Sequence, residues 1–375
     1  MRKILTVFGT RPEAIKMAPV IKQLESCSGF KSEVCITAQH RQMLDQVLDM
    51  FKIKPDYDLD IMQANQDLFD VTTKALSSLK TVIKKSKAHL VLVQGDTTTT
   101  FAASLAAFYL KVSVAHIEAG LRTYNKYSPF PEEINRQMAT VIADFNFAPT
   151  KHAERNLLRE GVPKEKIFVT GNTVVDALYD VLNIIKSSSI HHRFKRRFEF
   201  LRKNKKLILI TGHRRESFGE GFKNICNAIK KLAEVFPEYN FVYPVHLNPN
   251  VQKPVQNILN QNKLPNVYLI KPMEYLSFVY SMKKAYLILT DSGGIQEEAV
   301  TFGKPILVMR NTTERPEGIK AGAAKLVGNK EESIFSECKA LLTNKSKYNK
   351  MTKIENPYGD GKAAERIVKI LVERL

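Results

Sequence analysis

Short β-branched runs alternate with segments of helical periodicity along the whole chain, and this alternation limits the fold more than any other feature. A strand, a helix and a further strand form the unit of a parallel sheet. At 375 residues the chain is too long for one ordinary core, so we predict an α/β protein with two doubly wound domains. The predicted strands are Ile4–Phe8, Glu33–Thr37, Leu90–Gln94, Ser113–Ile117, Phe145–Ala148, Ile167–Thr170, Leu207–Thr211, Phe241–Val245, Val267–Ile270, Tyr286–Thr290, Pro305–Met309 and Ala324–Val327.

The domain boundary is predicted near residue 172, where a helix, a serine tract and a basic helix follow the last strand of the first half. The turn-rich run Asn356–Gly361 precedes a final helical stretch that could return to the first domain. We therefore expect a first domain of residues 1–171 with the C-terminal helix 363–375, and a second domain of residues 172–362.

Polar clusters follow the predicted strands repeatedly. Open parallel sheets bind ligands beyond the carboxyl ends of their strands, so we expect two such edges to face one another across a deep cleft. The clusters are Gly9–Glu13, Gln39–Gln42, Gly95–Thr100, Glu118–Thr123, Gly212–Glu216, His246, Asp291–Gly294 and Arg310–Arg315.

The run Asp291–Glu298 passes from a strand through glycines into a predicted helix. Backbone N–H groups at a helix N-terminus bind phosphate, and a diphosphate fits well. The same residues also suit an ordinary turn with Ser292 as N-cap. Glu298 would lie one turn further on, where its carboxylate could accept two ribose hydroxyls.

Cations are enriched in or just after the strand-end loops. A nucleotide diphosphate explains the excess, because fixed cations and guanidinium forks suit phosphate oxygens. Any one of them alone is equally consistent with a solvated or salt-bridged side chain. They are Arg11, Lys16, His213, Arg214, Arg310 and Arg315.

Three carboxylates, Asp96, Glu118 and Glu132, lie near strand ends or loop edges of the first domain. Close packing would raise the pKa of at least one of them enough for proton transfer. Each is also consistent with N-capping or surface charge, and Glu132 after Pro131 suits the first turn of a helix.

Several other functions are disfavoured. There is no GxGxxG after the first strand, no GxxxxGK[ST] and no HExxH, so neither NAD nor a metal is expected. The four cysteines form no CxxC pair, and Asp56, Asp58 and Asp60 lack the rest of a calcium loop. With no signal-like N-terminus and no long apolar run, we expect a cytoplasmic protein without a membrane span.

The net charge of +19 could indicate nucleic-acid binding, but much of it is local. Residues 191–206 hold eight Lys or Arg against Glu199. Phe194, Phe198 and Leu201 recur at helical spacing, which favours an amphipathic helix with a solvated basic face over a polyanion site. No nucleic-acid partner is expected, and a basic surface also attracts anionic nucleotides.

Eight blocks in order closely resemble the non-hydrolysing UDP-N-acetylglucosamine 2-epimerases of bacteria and archaea. The sequence departs from the family at Ser217 and Asn311, where asparagine and aspartate are usual. The blocks are Phe8–Pro19, Gln94–Thr97, His116–Thr123, Pro129–Arg136, Gly212–Glu216, Asp291–Glu298, Thr312–Glu317 and Asn356–Gly361.

The resemblance implies a glycosyltransferase-B type fold of two Rossmann-like domains, usually as a homodimer, with no cofactor. It assigns acid–base work to Asp96, Glu118 and Glu132, and stabilisation of the leaving diphosphate to His213. The nucleotide-sugar site would be lined by Arg11, Lys16, Asp96, Glu118, His213, Met273, Phe278, Ser292, Gly293, Gly294, Glu298 and Arg315.

The implied reaction interconverts UDP-N-acetylglucosamine and UDP-N-acetylmannosamine by elimination and re-addition of UDP, through 2-acetamidoglucal, and supplies a cell-surface polysaccharide precursor. A hydrolysing sister group that releases the free sugar is the alternative, and a sugar transferase of the same fold is a further rival. The family often has a second, allosteric UDP-N-acetylglucosamine site. Its matching residues are Gln39, His40, Gln42, Gln66, Arg214 and His246, although Asn65 stands where a basic residue is common.

Overall fold

The computed structural model describes residues 1–38, 41–63, 66–187, 194, 205–262 and 264–375. They form two compact units: Met1–Ala177 with Tyr358–Leu375, here the N-terminal unit, and Leu178–Pro357, the C-terminal unit. The chain passes from the N-terminal to the C-terminal unit after residue 177, where we predicted 171. It returns after residue 357, where we predicted 362. The carboxylate of Asp176 binds the backbone N–H groups of Ala363 and Ala364, which keeps Asp176 in the N-terminal unit. The carbonyl of Tyr358 accepts the N–H of Asn172 at 2.7 Å, which ties the returning segment to the same unit.

The N-terminal unit contains a seven-stranded parallel sheet in the order β3-β2-β1-β4-β5-β6-β7. Its strands are β1 (Arg2–Phe8), β2 (Phe30–Ile36), β3 (Tyr57–Asp58), β4 (Leu90–Gln94), β5 (Ser113–Ile117), β6 (Phe145–Ala148) and β7 (Ile167–Val169). Its helices are α1 (Arg11–Glu25), α2 (Arg41–Phe51), α3 (Leu68–Ser86), α4 (Thr98–Tyr109), α5 (Glu132–Ile142), α6 (Lys151–Arg159) and the first part of α7 (Thr173–Lys186).

The C-terminal unit contains a six-stranded parallel sheet in the order β10-β9-β8-β11-β12-β13. Its strands are β8 (Lys206–Thr211), β9 (Tyr239–Pro244), β10 (Val267–Ile270), β11 (Ala285–Thr290), β12 (Ile306–Val308) and β13 (Ala324–Leu326). Its helices are α8 (Glu220–Val235), α9 (Pro249–Val255), α10 (Tyr275–Lys284), α11 (Gly293–Thr301), α12 (Pro316–Ala321), α13 (Glu331–Thr343) and α14 (Lys345–Thr352). The last helix, α15 (Ala363–Arg374), belongs to the N-terminal unit.

Both sheets are covered on their faces by helices, which explains why their strands are continuous apolar runs. All five residues of β4 are buried, as expected for a central parallel strand. The alanines of α4 pack against β1 and β4 in one core cluster. The predicted doubly wound α/β fold with two domains is confirmed. Among the described residues, β3, a strand of two residues, is the one strand that the periodicity did not predict.

Each sheet reverses its strand order at one point, between β1 and β4 and between β8 and β11. Ligands of doubly wound sheets bind beyond the strand ends at such a switch point. The loops that begin at Gly9 and Gly95 lie there in the N-terminal unit, and those at Gly212 and Asp291 lie there in the C-terminal unit.

The predicted basic helix lies mostly outside the described residues. Phe194, predicted to face inward, is buried, and its ring lies 5.4 Å from that of Tyr280. Among the residues that the structure describes, no helix is long and apolar enough to cross a membrane.

Candidate active site

Glu118 is the most enclosed carboxylate predicted for the site. It follows β5, is 9% exposed and has a left-handed backbone with φ of 66°. Lys16 donates to its Oε1, Asn172 donates to the same oxygen at 3.1 Å, and Gln94 donates to Oε2 at 2.6 Å. A non-glycine residue in this conformation is strained, and such strain is concentrated at functional sites. The structure thus brings two predicted residues, Lys16 and Glu118, into direct contact.

Asp96 lies at the same edge of the sheet, after β4. Its Oδ2 is 2.8 Å from Nη2 of Arg136, and its backbone carbonyl accepts a hydrogen bond from the Asn135 side chain at 3.1 Å. Both partners belong to α5, so this helix contacts the carboxylate and the backbone of Asp96. Gly95, with φ of 72°, makes the turn that places Asp96 there.

Glu132 is the first residue of α5, as predicted, and is half-buried. It forms no hydrogen bond or ion pair with another described residue, so its carboxylate is available to a ligand. The neighbouring Glu133 is buried instead and accepts the backbone N–H groups of Thr123 and Tyr124 at 3.1 and 3.0 Å. Glu133 therefore fixes the loop before α5, while Glu132 remains free to react.

Glu13 has a positioning role that the sequence did not reveal. Its carboxylate accepts the N–H groups of Gly9 and Thr10 at 3.0 and 2.7 Å and the hydroxyls of Thr97 and Thr100 at 2.7 and 3.2 Å. Burial raises the pKa of Glu13, although these donors oppose the shift. One side chain thus joins the loop after β1 to the loop after β4. The capping box of Thr10 and Glu13 was the available signal.

Arg11 is the first residue of α1 and pairs with no acidic side chain among the residues described. It is half-exposed beside the loop that Glu13 fixes. Its guanidinium is therefore available to a phosphate or a sugar oxygen.

In the C-terminal unit, Asp291 organises the loop after β8. Its buried Oδ2 accepts the N–H groups of His213 and Arg214 at 2.7 and 2.8 Å, and its Oδ1 is 3.5 Å from Nδ1 of His213. The imidazole of His213 stacks on that of His246 at 5.3 Å. His213 is thus held at the strand edge with part of its ring exposed.

The N-terminus of α11 supplies the predicted phosphate site. Ser292 is the N-cap, but its side chain makes no capping hydrogen bond. A Cβ at Gly293 would lie 2.7 Å from Nη1 of Arg315, whereas a Cβ at Gly294 would meet nothing within 4 Å. Glycine at 293 therefore admits the arginine, and glycine at 294 leaves the helix N-terminus open to a ligand.

Arg315 is part of a chain of alternating charges. Its Nε is 2.8 Å from Oε1 of Glu297, and its Nη1 is 2.7 Å from Oε1 of Glu314. Arg310 contacts the other oxygen of Glu314 at 3.0 Å and also pairs with Glu216. Burial alone would raise the pKa of Glu314, but the two arginines outweigh it and lower that pKa to about 2.

The remaining predicted substrate residues lie near the same edge. Tyr275 donates to Oε1 of Glu298 at 3.2 Å, and Glu298 is on α11 as predicted. Met273 precedes α10, and its sulfur accepts a hydrogen bond from Ser281 at 3.4 Å. Phe278 lies within α10 and is partly exposed.

The proposed allosteric residues are only partly described. Gln39, His40 and the side chain of Gln42 lie outside the described residues. The amide of Gln66 bonds within its own loop, to the carbonyl of Ile61 and the N–H of Gln63. In the described parts of the chain, no group of three or more His, Cys, Asp or Glu is arranged to hold a metal ion.

Doubly wound sheets bind ligands, nucleotides among them, beyond the carboxyl ends of their strands, where both units carry charged clusters. The family model described as UDP-N-acetylglucosamine 2-epimerase matches residues 22–372. A UDP-N-acetylglucosamine 2-epimerase of Neisseria meningitidis is 56% identical over 371 residues, which cover 99% of each chain.

Two solved structures give the same result. The Neisseria meningitidis enzyme, solved bound to UDP-GlcNAc, superposes with a TM-score of 0.94 at 56% identity and covers 99% of this chain and 100% of its own. The enzyme of Methanocaldococcus jannaschii, in complex with UDP-GlcNAc and UDP, has a TM-score of 0.84 at 36% identity, with 99% of each chain covered. The chain belongs to the UDP-N-acetylglucosamine 2-epimerase family and is an isomerase.

His116 gives a testable pH dependence of stability. It is fully buried beside the site, its Nε2 is 2.7 Å from the carbonyl oxygen of Gly95, and burial lowers its pKa from 6.5 to about 4. Its ring must therefore take up a proton on unfolding at any pH between these values. The free energy of unfolding should fall as the pH drops from about 6.5 to about 4, by on the order of 3 kcal/mol from this group.

Denaturant titrations at both ends of this range would measure the effect in the wild type and in His116→Gln, whose amide can still donate to Gly95. We expect the variant to lose this part of the pH dependence. An identical dependence in the two proteins would contradict the assignment.

Proposed function

We propose that the protein interconverts UDP-N-acetylglucosamine and UDP-N-acetylmannosamine without releasing free sugar. The observation that carries the proposal is the buried carboxylate of Glu118, to which Lys16, Gln94 and Asn172 donate, at the sheet edge that also holds Asp96. Proton transfer at a sugar carbon needs such fixed acid–base groups. A hydrolysing enzyme, the alternative from the sequence, is not favoured by the comparisons.

The chemistry follows from the position of carbon 2. Its hydrogen is not adjacent to a carbonyl, so direct deprotonation to an enolate is unavailable. A carboxylate removes this proton while the bond from carbon 1 to the diphosphate oxygen breaks, and the electron pair leaves with UDP. The neutral 2-acetamidoglucal remains. Protonation of carbon 2 on the opposite face and return of the UDP oxygen to carbon 1 give the epimer.

We assign binding of the sugar end of the substrate to the N-terminal unit. Asp96, Glu118 and Glu132 carry out the two proton transfers, and both faces of carbon 2 must be served, so at least two of them take part. The free guanidinium of Arg11 and the ammonium of Lys16 bind sugar or phosphate oxygens. The left-handed backbone of Glu118 supports the assignment, since such strain is concentrated at functional sites.

We assign binding of the nucleotide end of the substrate to the C-terminal unit. The open N-terminus of α11, from Ser292 to Gly294, and Arg315 bind the diphosphate, and His213 stabilises its charge as it leaves. Glu298 accepts the ribose hydroxyls. The backbone near Met273 and Phe278 holds the uracil. Relatives solved with UDP-GlcNAc and UDP show that proteins of this family bind such a ligand.

The proposed elimination and re-addition transfer a proton and the UDP group but no hydride, so no NAD is proposed, and no metal is proposed either. We further propose a homodimer that supplies a cell-surface polysaccharide precursor. Allosteric activation, the cytoplasmic location and the absence of a nucleic-acid partner stay predictions.

Product identification tests the proposal directly. The purified protein, dialysed against a chelator, is incubated with UDP-N-acetylglucosamine alone, and the products are followed by proton NMR. We expect UDP-N-acetylmannosamine to appear while the total of the two nucleotide sugars stays constant. Free N-acetylmannosamine accumulating in step with UDP would support the hydrolysing alternative. Turnover only after an acceptor alcohol is added would indicate a transferase.

Two substitutions test whether catalysis depends on the N-terminal unit and UDP binding on the C-terminal unit. Glu118→Gln should lower kcat by roughly 100-fold or more, because it removes an acid–base group, and leave the Kd for UDP nearly unchanged, because UDP is assigned to the C-terminal unit. Arg315→Ala should mainly weaken UDP binding. Arg315→Lys is its control, since lysine keeps the charge beside Glu297 and Glu314 but loses the fork.

Steady-state kinetics and calorimetry with UDP provide the measurements, and Glu165→Gln, at an exposed turn, serves as the neutral control. If Glu118→Gln and Arg315→Ala each lowered turnover and UDP affinity to the same extent, the assignment of catalysis to one unit and UDP binding to the other would be contradicted.

A further inference from the structure

Asn172 contacts Glu118 but was not among the predicted site residues. It is 2% exposed and immediately precedes α7. Its Nδ2 donates to Oε1 of Glu118 at 3.1 Å, and its Oδ1 accepts the N–H of Val174 at 3.0 Å. Because the amide oxygen is occupied by a backbone donor, the NH2 group must face the carboxylate. The orientation of this amide is thus fixed by the hydrogen bonds on both sides.

The backbone of Asn172 makes a second connection. Its N–H donates to the carbonyl of Tyr358 at 2.7 Å, and Tyr358 is the first residue after the chain returns from the C-terminal unit. The approach of the two segments is close: a Cβ on Gly171, whose φ is 94°, would lie 3.6 Å from the Cα of Gly359. One residue therefore joins the returning segment to the side chain that holds Glu118.

The effect on Glu118 follows from the groups that face it. Lys16 and the amides of Gln94 and Asn172 all donate to its oxygens, and donors favour the charged form of a carboxylate. His116, two residues earlier on β5, also interacts electrostatically with it. Gln94 binds Oε2 and Asn172 binds Oε1, so the two amides fix the plane of the carboxylate. Lys16 alone, with a freely rotating ammonium, would not.

We propose that Asn172 is a positioning residue for epimerisation, whose amide holds the carboxylate of Glu118 in one orientation and in its charged form. The proposal rests on the proposed role of Glu118 in proton transfer. Loss of the amide leaves an oxygen of a buried carboxylate with fewer donors. The proton affinity of Glu118 then increases, and the limb of the pH–rate profile that Glu118 sets moves to higher pH. This direction is the same whether Glu118 acts as the base or as the acid.

Asn172→Asp is the most specific test, because aspartate has the same shape as asparagine and can still accept the N–H of Val174. It replaces a donor to Glu118 by a like charge. At pH 7 we expect kcat to fall about tenfold or more and one limb of the profile to rise by about one pH unit. KM should change by less than about threefold, since the substrate contacts of the C-terminal unit are intact.

Asn172→Ser removes the amide without adding a charge, and serine also caps a helix N-terminus. We expect the same limb to move in the same direction by a smaller amount. The matched control is Asp176→Asn, which alters the contact of α7 with Ala363 and Ala364 but not Glu118. It should change the melting temperature and leave the limbs unmoved. A limb that stays in place in both Asn172 variants, or that moves equally in Asp176→Asn, would overturn the proposal.

An infrared titration separates this inference from the proposed function. The carboxylate band lost in Glu118→Gln identifies Glu118, and its titration in Asn172→Asp and Asn172→Ser needs no turnover. We expect Glu118 to protonate at higher pH in both variants than in the wild type. An unchanged titration would contradict the role of Asn172 even if the protein is an epimerase. A shifted titration in a protein that does not epimerise would support the contact with Glu118 and reject the proposed function.

Discussion

One buried carboxylate organises the carboxyl edge of the sheet in the N-terminal unit, where the candidate site lies. Glu118 is held by Lys16 from α1, Gln94 from β4 and Asn172 before α7. A buried charge is costly unless it is paired and hydrogen-bonded, so these donors offset the cost of burying Glu118. They come from residues spread over more than 150 positions, and only the doubly wound order of the sheet brings them together.

The two units fix their loops in similar ways. In the N-terminal unit, Glu13 accepts two successive backbone N–H groups, at Gly9 and Thr10, just after β1. In the C-terminal unit, Asp291 accepts two successive N–H groups, at His213 and Arg214, just after β8. Both loops lie at the switch point of their sheet. Buried carboxylates thus pin the backbone where ligands of this fold bind, and other side chains remain available for chemistry.

The sequence predicted what depends on local pattern and motif. Strands such as β4 were placed to the residue because buried parallel strands are uninterrupted apolar runs, and the glycines of α11 indicated a helix N-terminus. It did not predict β3, which is too short for any periodicity, or Asn172, whose partner Glu118 is 54 residues away. Motifs list the residues of a site, but they do not show which of them position the others.

In the proposed mechanism, carboxylates remove the proton on carbon 2 of the sugar and return one to it. The most direct test is to run the reaction in deuterium oxide, stop it before equilibrium and examine carbon 2 of the newly formed UDP-N-acetylmannosamine by NMR. Because removal and return occur on opposite faces, the returning proton comes from a second group that exchanges with solvent. We therefore expect deuterium at carbon 2 of the epimer. Epimer that carries only protium there would contradict it.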